Sequence, residues 1–429
     1  MRFLGIKNDI ICVVSDSAFL NSEFNSLELP KEFSNLSNKE IIENLFIRNN
    51  KIYNRKTFLD LSNSKVAVIS NFRMRCGIST YFENLFPHFL KNCKDFKLFI
   101  EKNDIKTGDI FKLGELSLST KNVSECWKRG ESTLDLIKSI NDYNPDVIVI
   151  NHEWGLFPNA KIWLSLLTQL SKYKIVVIQH SVYPKHLDKT ICEAAMPNII
   201  VHLDGAKSAL IDKGISADKI NVLQHGCYPI VSKNQLWNFY NTKNRFIQSG
   251  FGFKYKNFED SIRATHLLKN KYPDIFFTAL ISESPYNRVG HQQYFDELFK
   301  LIQDFNLEEN VGIVRGFQED SVIDSYLRTN KVAVFPYKMD SENVCFGSSG
   351  AARQAMSKHL PVITSSIHHF SDLPTIKANT PEQLASAIDT IFSNEDAVIK
   401  QLQIQEDFIN KNNWENISNQ LVSIIERVS

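Results

Sequence analysis

Short apolar runs alternate with amphipathic helical stretches from Lys65 to the C-terminal region, and this alternation limits the fold more than any other feature. Val66-Ala-Val-Ile-Ser70 is uninterrupted by charge, as expected of a strand covered on both faces of a parallel sheet. A turn over Asn71–Gly77 leads to a helical pattern from Ile78 to about Leu90. Further strands are predicted at Phe96–Ile100, Val147–Asn151, Ile175–Gln179, Ile199–Val201 and Ile220–Leu223, with helices over Lys161–Lys172 and Ala206–Lys213. The pattern breaks between Cys227 and Arg245, which therefore reads as an inter-domain connection.

A second alternation follows. Its strands are Arg245–Ser249, Phe276–Ile281, Gly312–Val314, Val332–Phe335 and Val362–Thr364. Its helices are Phe258–Asn270, Gln292–Phe305, Asp320–Thr329, Ser349–Lys358 and Pro381–Phe392, and a helical tail spans Asp396–Val428. The pattern predicts an α/β chain of two Rossmann-like doubly wound halves, 65–230 and 231–395, facing a central cleft, with a tail at 396–429. Residues 1–64 stand outside it as an extension of unassigned role, with a strand at Ile10–Val14 and a capped helix at Asn38–Arg48.

Composition narrows the function classes. A hydrophobic content of 43% with 23% charged residues is that of a globular protein with a sizeable core. A net charge of +1 argues against a dedicated nucleic-acid binder. The seven cysteines are scattered without paired metal spacing, which fits a reducing, cytoplasmic setting and predicts no metal site. The first residues show no secretory leader pattern, and no apolar run approaches the ~18 residues that span a bilayer.

The chemically suggestive residues fall at strand ends, where open parallel sheets bind ligands. Asn151-His152-Glu153-Trp154 closes one strand; His152 and Glu153 could exchange protons or hold hydroxyls, and Trp154 offers a face to a sugar ring. His180 ends the next strand and is the foremost candidate among the histidines, with His225 and, on a weaker claim, His202 at equivalent positions. Gly77, with Arg73 and Arg75 beside it, opens a helix whose N-terminus favours negative charge. Lys254 and Lys256 lie where another helix begins, and Arg315 ends a strand where it could wall a base pocket. Ser348, Ser349 and Gly350 precede a helix with unblocked N–H groups, and Gln354 follows one turn on. Each of these also has a plain structural reading, as a cap, a turn or a solvated charge; their recurrence at equivalent strand ends favours a site.

Taken in order, Arg75-Cys-Gly-Ile-Ser-Thr-Tyr81, His152-Glu-Trp-Gly155, Val222-Leu-Gln-His-Gly226, Phe251-Gly-Phe253 and Ser348-Ser-Gly-Ala-Ala-Arg353 resemble the family 4 glycosyltransferases of the GT-B fold, especially a mannosyltransferase-like bacterial branch. The resemblance runs from about Lys65 to Pro374. It implies retaining, metal-independent transfer from a nucleotide-sugar, of the GDP-mannose or UDP-sugar type. The acceptor would be a glycan, a lipid-linked molecule or a protein in surface polysaccharide or glycoconjugate assembly. His180 then matches the histidine that approaches the transferred sugar, and Lys256 the lysine that neutralises the leaving diphosphate. Gly77, Lys254, Arg315, Ser348, Ser349, Gly350 and Gln354 are assigned to the donor, and Arg75 and Trp154 to the acceptor.

Two departures stand out. Phe253 occupies the place of the family's arginine before the lysine, and Gln354 and Phe346 replace its paired glutamates. They leave two other readings open: a sugar-nucleotide epimerase on the same fold, and a catalytically silent GT-B scaffold or activator. Phe86, Phe89, Lys91, Lys94, Phe96 and Lys97 suit either peripheral contact with the inner face of a membrane or a solvated helix end.

Overall fold

The structure is a computed structural model that describes residues 3–7, 10–14, 25–28, 59–102, 111–119, 121–185, 198–230, 243–283, 288–339 and 344–428. The chain divides into two compact units, Met1–Leu59 with Ser429, and Asp60–Val428. In the first, Phe3–Lys7 pairs antiparallel with both Ile10–Val14 and Asn25–Glu28. The strand expected at Ile10–Val14 is therefore present, whereas the helix expected at Asn38–Arg48 lies outside the described residues.

The second unit contains two parallel sheets. The strands of the first are β1 (Lys65–Ser70), β2 (Asp95–Glu101), β3 (Val123–Trp127), β4 (Val147–His152), β5 (Lys174–Gln179), β6 (Asn198–Val201) and β7 (Ile220–Val222). Their spatial order is β7-β6-β5-β4-β1-β2-β3. Those of the second are β8 (Arg245–Phe251), β9 (Phe276–Ser282), β10 (Val311–Arg315), β11 (Val332–Phe335), β12 (Val362–Thr364) and β13 (Ile376–Lys377), ordered β10-β9-β8-β11-β12-β13. In each sheet the order reverses beside the first strand, and the crevice at that reversal is where such sheets take ligands.

The central strands form because their Val- and Ile-rich runs are covered on both faces: every residue of β4 is buried, as is β1 after Lys65. The register sets Val66 against Val147 and Gln179 against His152, so the ends of β1, β4 and β5 lie side by side. Edge strand β3 and helix α2 (Leu134–Tyr143, following α1, Gly77–Leu90) do not stand out in the sequence. The strand Val-Ser-Glu-Cys-Trp mixes polar residues into an edge position, and it is fixed by Trp127, whose indole N–H donates to the Phe99 carbonyl at 3.0 Å.

The next helices are α3 (Ala160–Gln169), α4 (Asp204–Asp212), α5 (Phe258–Leu268), α6 (Arg288–Asp304), α7 (Asp320–Leu327), α8 (Gly350–Ser357) and α9 (Pro381–Ser393). The tail, expected as one helical stretch, is two: α10 (Glu395–Lys411) and α11 (Trp414–Glu426). Asn413 makes the break by capping α11, its side chain accepting from the Asn416 N–H at 2.9 Å. The Cys227 N–H donates to the Asn412 carbonyl at 2.8 Å, and α11 packs along α1, so the tail crosses back to the first half. Residues 231–242 of the expected connection lie outside the described residues. No helix among the described residues is long and apolar enough to cross a membrane.

Candidate active site

The ends of β1, β4, β5, β6 and β7 set a row of polar side chains along one edge of the first sheet. Asn151 donates from Nδ2 to Ser70 Oγ at 3.0 Å and to the Ile78 carbonyl at 3.3 Å, and presents Oδ1 to His180 Nε2 at 2.6 Å. His180 Nδ1 faces His202 Nε2 at 3.2 Å, and His202 Nδ1 donates to the Leu223 carbonyl at 2.8 Å. A continuous row of polar contacts thus runs across the ends of five neighbouring strands. Tyr81 of α1 covers it, its ring 4.5 Å from His180, 5.2 Å from His202 and 5.1 Å from His225 between centroids.

Burial governs the protonation of this row. It holds the imidazoles in their neutral forms, bringing His202 down to about 4 and His180 and His225 well below the ordinary histidine range. Next to them, burial pushes the Glu153 carboxyl up to about 7, against the opposing hydrogen bonds from Ser181 and the Trp154 N–H.

The second half supplies the facing wall. The turn Lys254–Lys256 follows β8, and the Gln248 amide fixes it by donating to the Lys256 carbonyl at 2.7 Å. The Lys256 ammonium lies 3.9 Å from the Tyr337 ring centroid and 4.9 Å from that of Tyr255. No carboxylate among the described residues lies within ion-pairing distance of it.

Phe346–Gly347 pairs antiparallel with Ser181–Val182, joining the two halves beside the cleft. Ser349 then caps α8, its hydroxyl accepting from the Ala352 N–H at 3.4 Å, and Gly350 begins the helix. Ser348 Oγ is buried without a hydrogen-bond partner. Arg353, 1% exposed, donates to the His225 carbonyl at 3.1 Å and the Ser349 carbonyl at 3.0 Å, and is paired with Asp372. It therefore locks the first turn of α8 to the end of the first sheet.

These elements enclose a cleft of about 340 Å³. Of the residues singled out in the sequence, Gly77, Glu153, His180, His202, His225, Lys256, Ser348, Ser349, Gly350 and Gln354 line it together. Gly77 has a negative φ and open space where a Cβ would stand, so what it offers is close approach rather than a special turn.

The others lie elsewhere. The His152 ring stacks on Trp163 at 4.1 Å inside the core, and Trp154 packs with the same core. Lys254 is exposed and paired with Glu297 at 2.8 Å. Arg315 pairs with Glu283 at 2.9 Å and covers the Phe295 ring. Arg75 sits over the Phe317 ring at 5.6 Å, one residue removed from the lining.

Tyr81, Tyr255, Arg353 and Trp414 also line the cleft and were not singled out in the sequence. Tyr81 lies within the motif Arg75–Tyr81, yet helical spacing alone makes it a core aromatic. Trp414 arrives from the tail, and no local pattern announces a contact made over such a separation. A smaller recess of about 190 Å³ adjoins the cleft and shares Tyr183, Tyr255, Cys345 and His369 with it.

Comparison with known proteins agrees with this architecture. Residues 232–412 match the family described as glycosyl transferases group 1. No curated protein matches the chain. Among solved structures, Anabaena Alr3699/HepE in complex with UDP and glucose aligns at a TM-score of 0.62 and 12% identity, over 85% of this chain and 99% of that one. A trehalose-6-phosphate protein from E. coli bound with UDP-2-fluoro glucose aligns at 0.64 and 15%, over 85% and 100%. A trehalose-6-phosphate synthase from work on glycosyltransfer with retention aligns at 0.64 and 14%, over 85% and 99%. At these identities the likeness establishes the fold, which is GT-B.

Proposed function

We propose that the chain is a retaining glycosyltransferase that moves a sugar from a nucleotide-sugar to a hydroxyl of a glycan, lipid-linked or protein acceptor. The observation that carries the reading is Lys256: an ammonium in the cleft, held on two aromatic faces, with no carboxylate counter-ion among the described residues, facing the start of α8. A cation and free N–H groups converging on one space suit a diphosphate. The family match over residues 232–412 and the UDP or UDP-sugar bound by structural relatives support the same donor class.

In this reading the diphosphate lies between Lys256 and Ser348–Gly350, and the ribose lies near Gln354. The sugar then points toward His180 and Glu153, with the acceptor entering past Gly77. As the bond from the anomeric carbon to the phosphate oxygen breaks, its electron pair goes to that oxygen, where Lys256 and the N–H groups stabilise it. The acceptor oxygen bonds the same face of the anomeric carbon, and its proton passes to the leaving phosphate. Charge neutralisation by these groups leaves no step that requires a metal. The role fits surface polysaccharide or glycoconjugate assembly on the cytoplasmic side of a membrane.

The test is turnover of GDP- and UDP-sugars with acceptor extracts, reading nucleoside diphosphate release and the anomeric configuration of the product. Release coupled to an α-linked product from an α-linked donor is expected. The absence of both binding and turnover across the panel would overturn the reading.

A further inference from the structure

The row from Asn151 to Leu223 contains one proton too few. Ser70 Oγ donates to the Asn71 carbonyl at 2.8 Å, so it can only accept from Asn151. The Ile78 carbonyl accepts as well. Both contacts turn the Asn151 amide so that its oxygen faces His180 Nε2, which must then carry a proton. At the other end, the Leu223 carbonyl requires a proton on His202 Nδ1. Two neutral imidazoles have only those two protons. The inner nitrogens, His180 Nδ1 and His202 Nε2, then face each other at 3.2 Å with no hydrogen between them. A third proton would complete the row and leave the pair with one positive charge.

The surroundings explain why the protein alone does not favour it. Both rings are buried, and burial disfavours charge. The facing groups are Tyr81 from α1, His152 and Glu153 from the end of β4, His225 after β7, and Arg353 of α8, whose charge Asp372 balances; Lys256 stands across the cleft. The carboxylate among them without a cationic partner is Glu153, which accepts hydrogen bonds from Ser181 and the Trp154 N–H and is itself held toward its neutral form by burial. A nucleoside diphosphate would bring several negative charges into this space.

We propose that the His180–His202 pair takes up one proton from solvent when a nucleoside diphosphate binds, so that a shared imidazolium joins Lys256 in balancing the anion. The proposal rests on the nucleotide-sugar reading. No bond other than the N–H bond forms, and the proton settles between His180 Nδ1 and His202 Nε2. The two residues act as a charge-storing unit that neither could form alone, because each imidazole must spend its own proton on an outer acceptor.

The test is calorimetric titration with UDP and GDP at pH 8.5, in buffers of differing ionisation enthalpy, to count protons. Net proton uptake is expected, rising toward one per diphosphate when the titration is repeated at lower pH, with its loss in His202→Gln and its persistence in Glu153→Gln. Nitrogen-15 spectra of the unsubstituted protein give a second reading that does not depend on the variant folding: imidazolium-type signals should appear for this pair on adding UDP. Binding without proton uptake, or with both rings still neutral, would overturn this proposal alone. Failure of both nucleotides to bind would overturn it together with the donor assignment.

Discussion

The indole of Trp414 lies where a Cβ on residue 226 would stand, so the tail helix meets the end of the first sheet at a place only glycine permits. The same indole is 5.3 Å from the Tyr81 ring and 5.1 Å from that of His225 between centroids. One contact therefore seats α11 and closes the back of the cleft.

Gly226→Ala is expected to push this helix outward. Overpacking of this kind costs about 1–3 kcal/mol. The variant should melt at a lower temperature and lose donor affinity at the same time, because Trp414 lines the cleft. Thermal melts combined with UDP titration check this. A variant with lowered melting temperature but unchanged affinity would separate the seat from the site.

Lys256→Met should remove the ammonium while leaving its apolar stem against Tyr255 and Tyr337. Folding is expected to be nearly unchanged. Loss of one stabilising group at a developing oxyanion costs about 10²–10³ in rate, and kcat/KM for the nucleotide-sugar should fall by that order. Steady-state kinetics with a circular dichroism control measure both halves of this expectation.

The buried histidines make the fold acid-sensitive. Burial brings His152 down to about 3 and His202 to about 4, and depresses His180 and His225 as well. Each folded value lies below the unfolded value of about 6.5, so falling pH favours the chain that binds more protons, the unfolded one. Their contribution is full above about pH 6.5 and is lost as pH falls toward the folded values. For His202 alone the difference amounts to about 3 kcal/mol. Glu153, raised to about 7, and Asp320, raised by burial as well, work in the opposite sense, but they are two groups against five, since burial also brings His369 down to about 3. The melting temperature should fall steeply between pH 6.5 and 4.5, and less steeply in His152→Phe, since both ring nitrogens of His152 are buried without partners. A melting temperature flat over this range would contradict the assignment.

The parts legible in the sequence were those set by local pattern. Apolar runs such as Val147–Ile150 could only be covered strands, and strand ends bearing His180, His202 and His225 had to share an edge once the strands were parallel. The loops before α5 and α8 were legible for the same reason, as small or basic residues placed before helices. What local pattern does not carry is side-chain direction and long-range contact. Arg315 and Lys254 stand in the expected places but turn to Glu283 and Glu297, and Trp154 turns to the core. Tyr81, Arg353 and Trp414 enter the cleft through contacts between halves or from the tail, which periodicity cannot show.

Gln354 donates from Nε2 to Asp324 at 3.3 Å, which leaves its amide oxygen to accept from a ligand hydroxyl. A neutral hydrogen bond contributes about 0.5–1.5 kcal/mol, so Gln354→Ala should weaken nucleoside diphosphate binding by roughly 2- to 12-fold. The corresponding 2′,3′-dideoxynucleotide should bind the two proteins equally. Titration of both proteins with both nucleotides reads the coupling; an unchanged affinity for the full nucleotide would place the ribose elsewhere.

We propose that one cleft binds a nucleoside diphosphate between Lys256 and the start of α8. A crystal structure of the protein with UDP or GDP tests it most directly. The expected result has the diphosphate within hydrogen-bonding distance of Lys256 Nζ and the backbone N–H groups of Ser348–Gly350, on the cleft side of His180. A nucleotide bound away from these groups, or no binding of either nucleotide, would contradict the account.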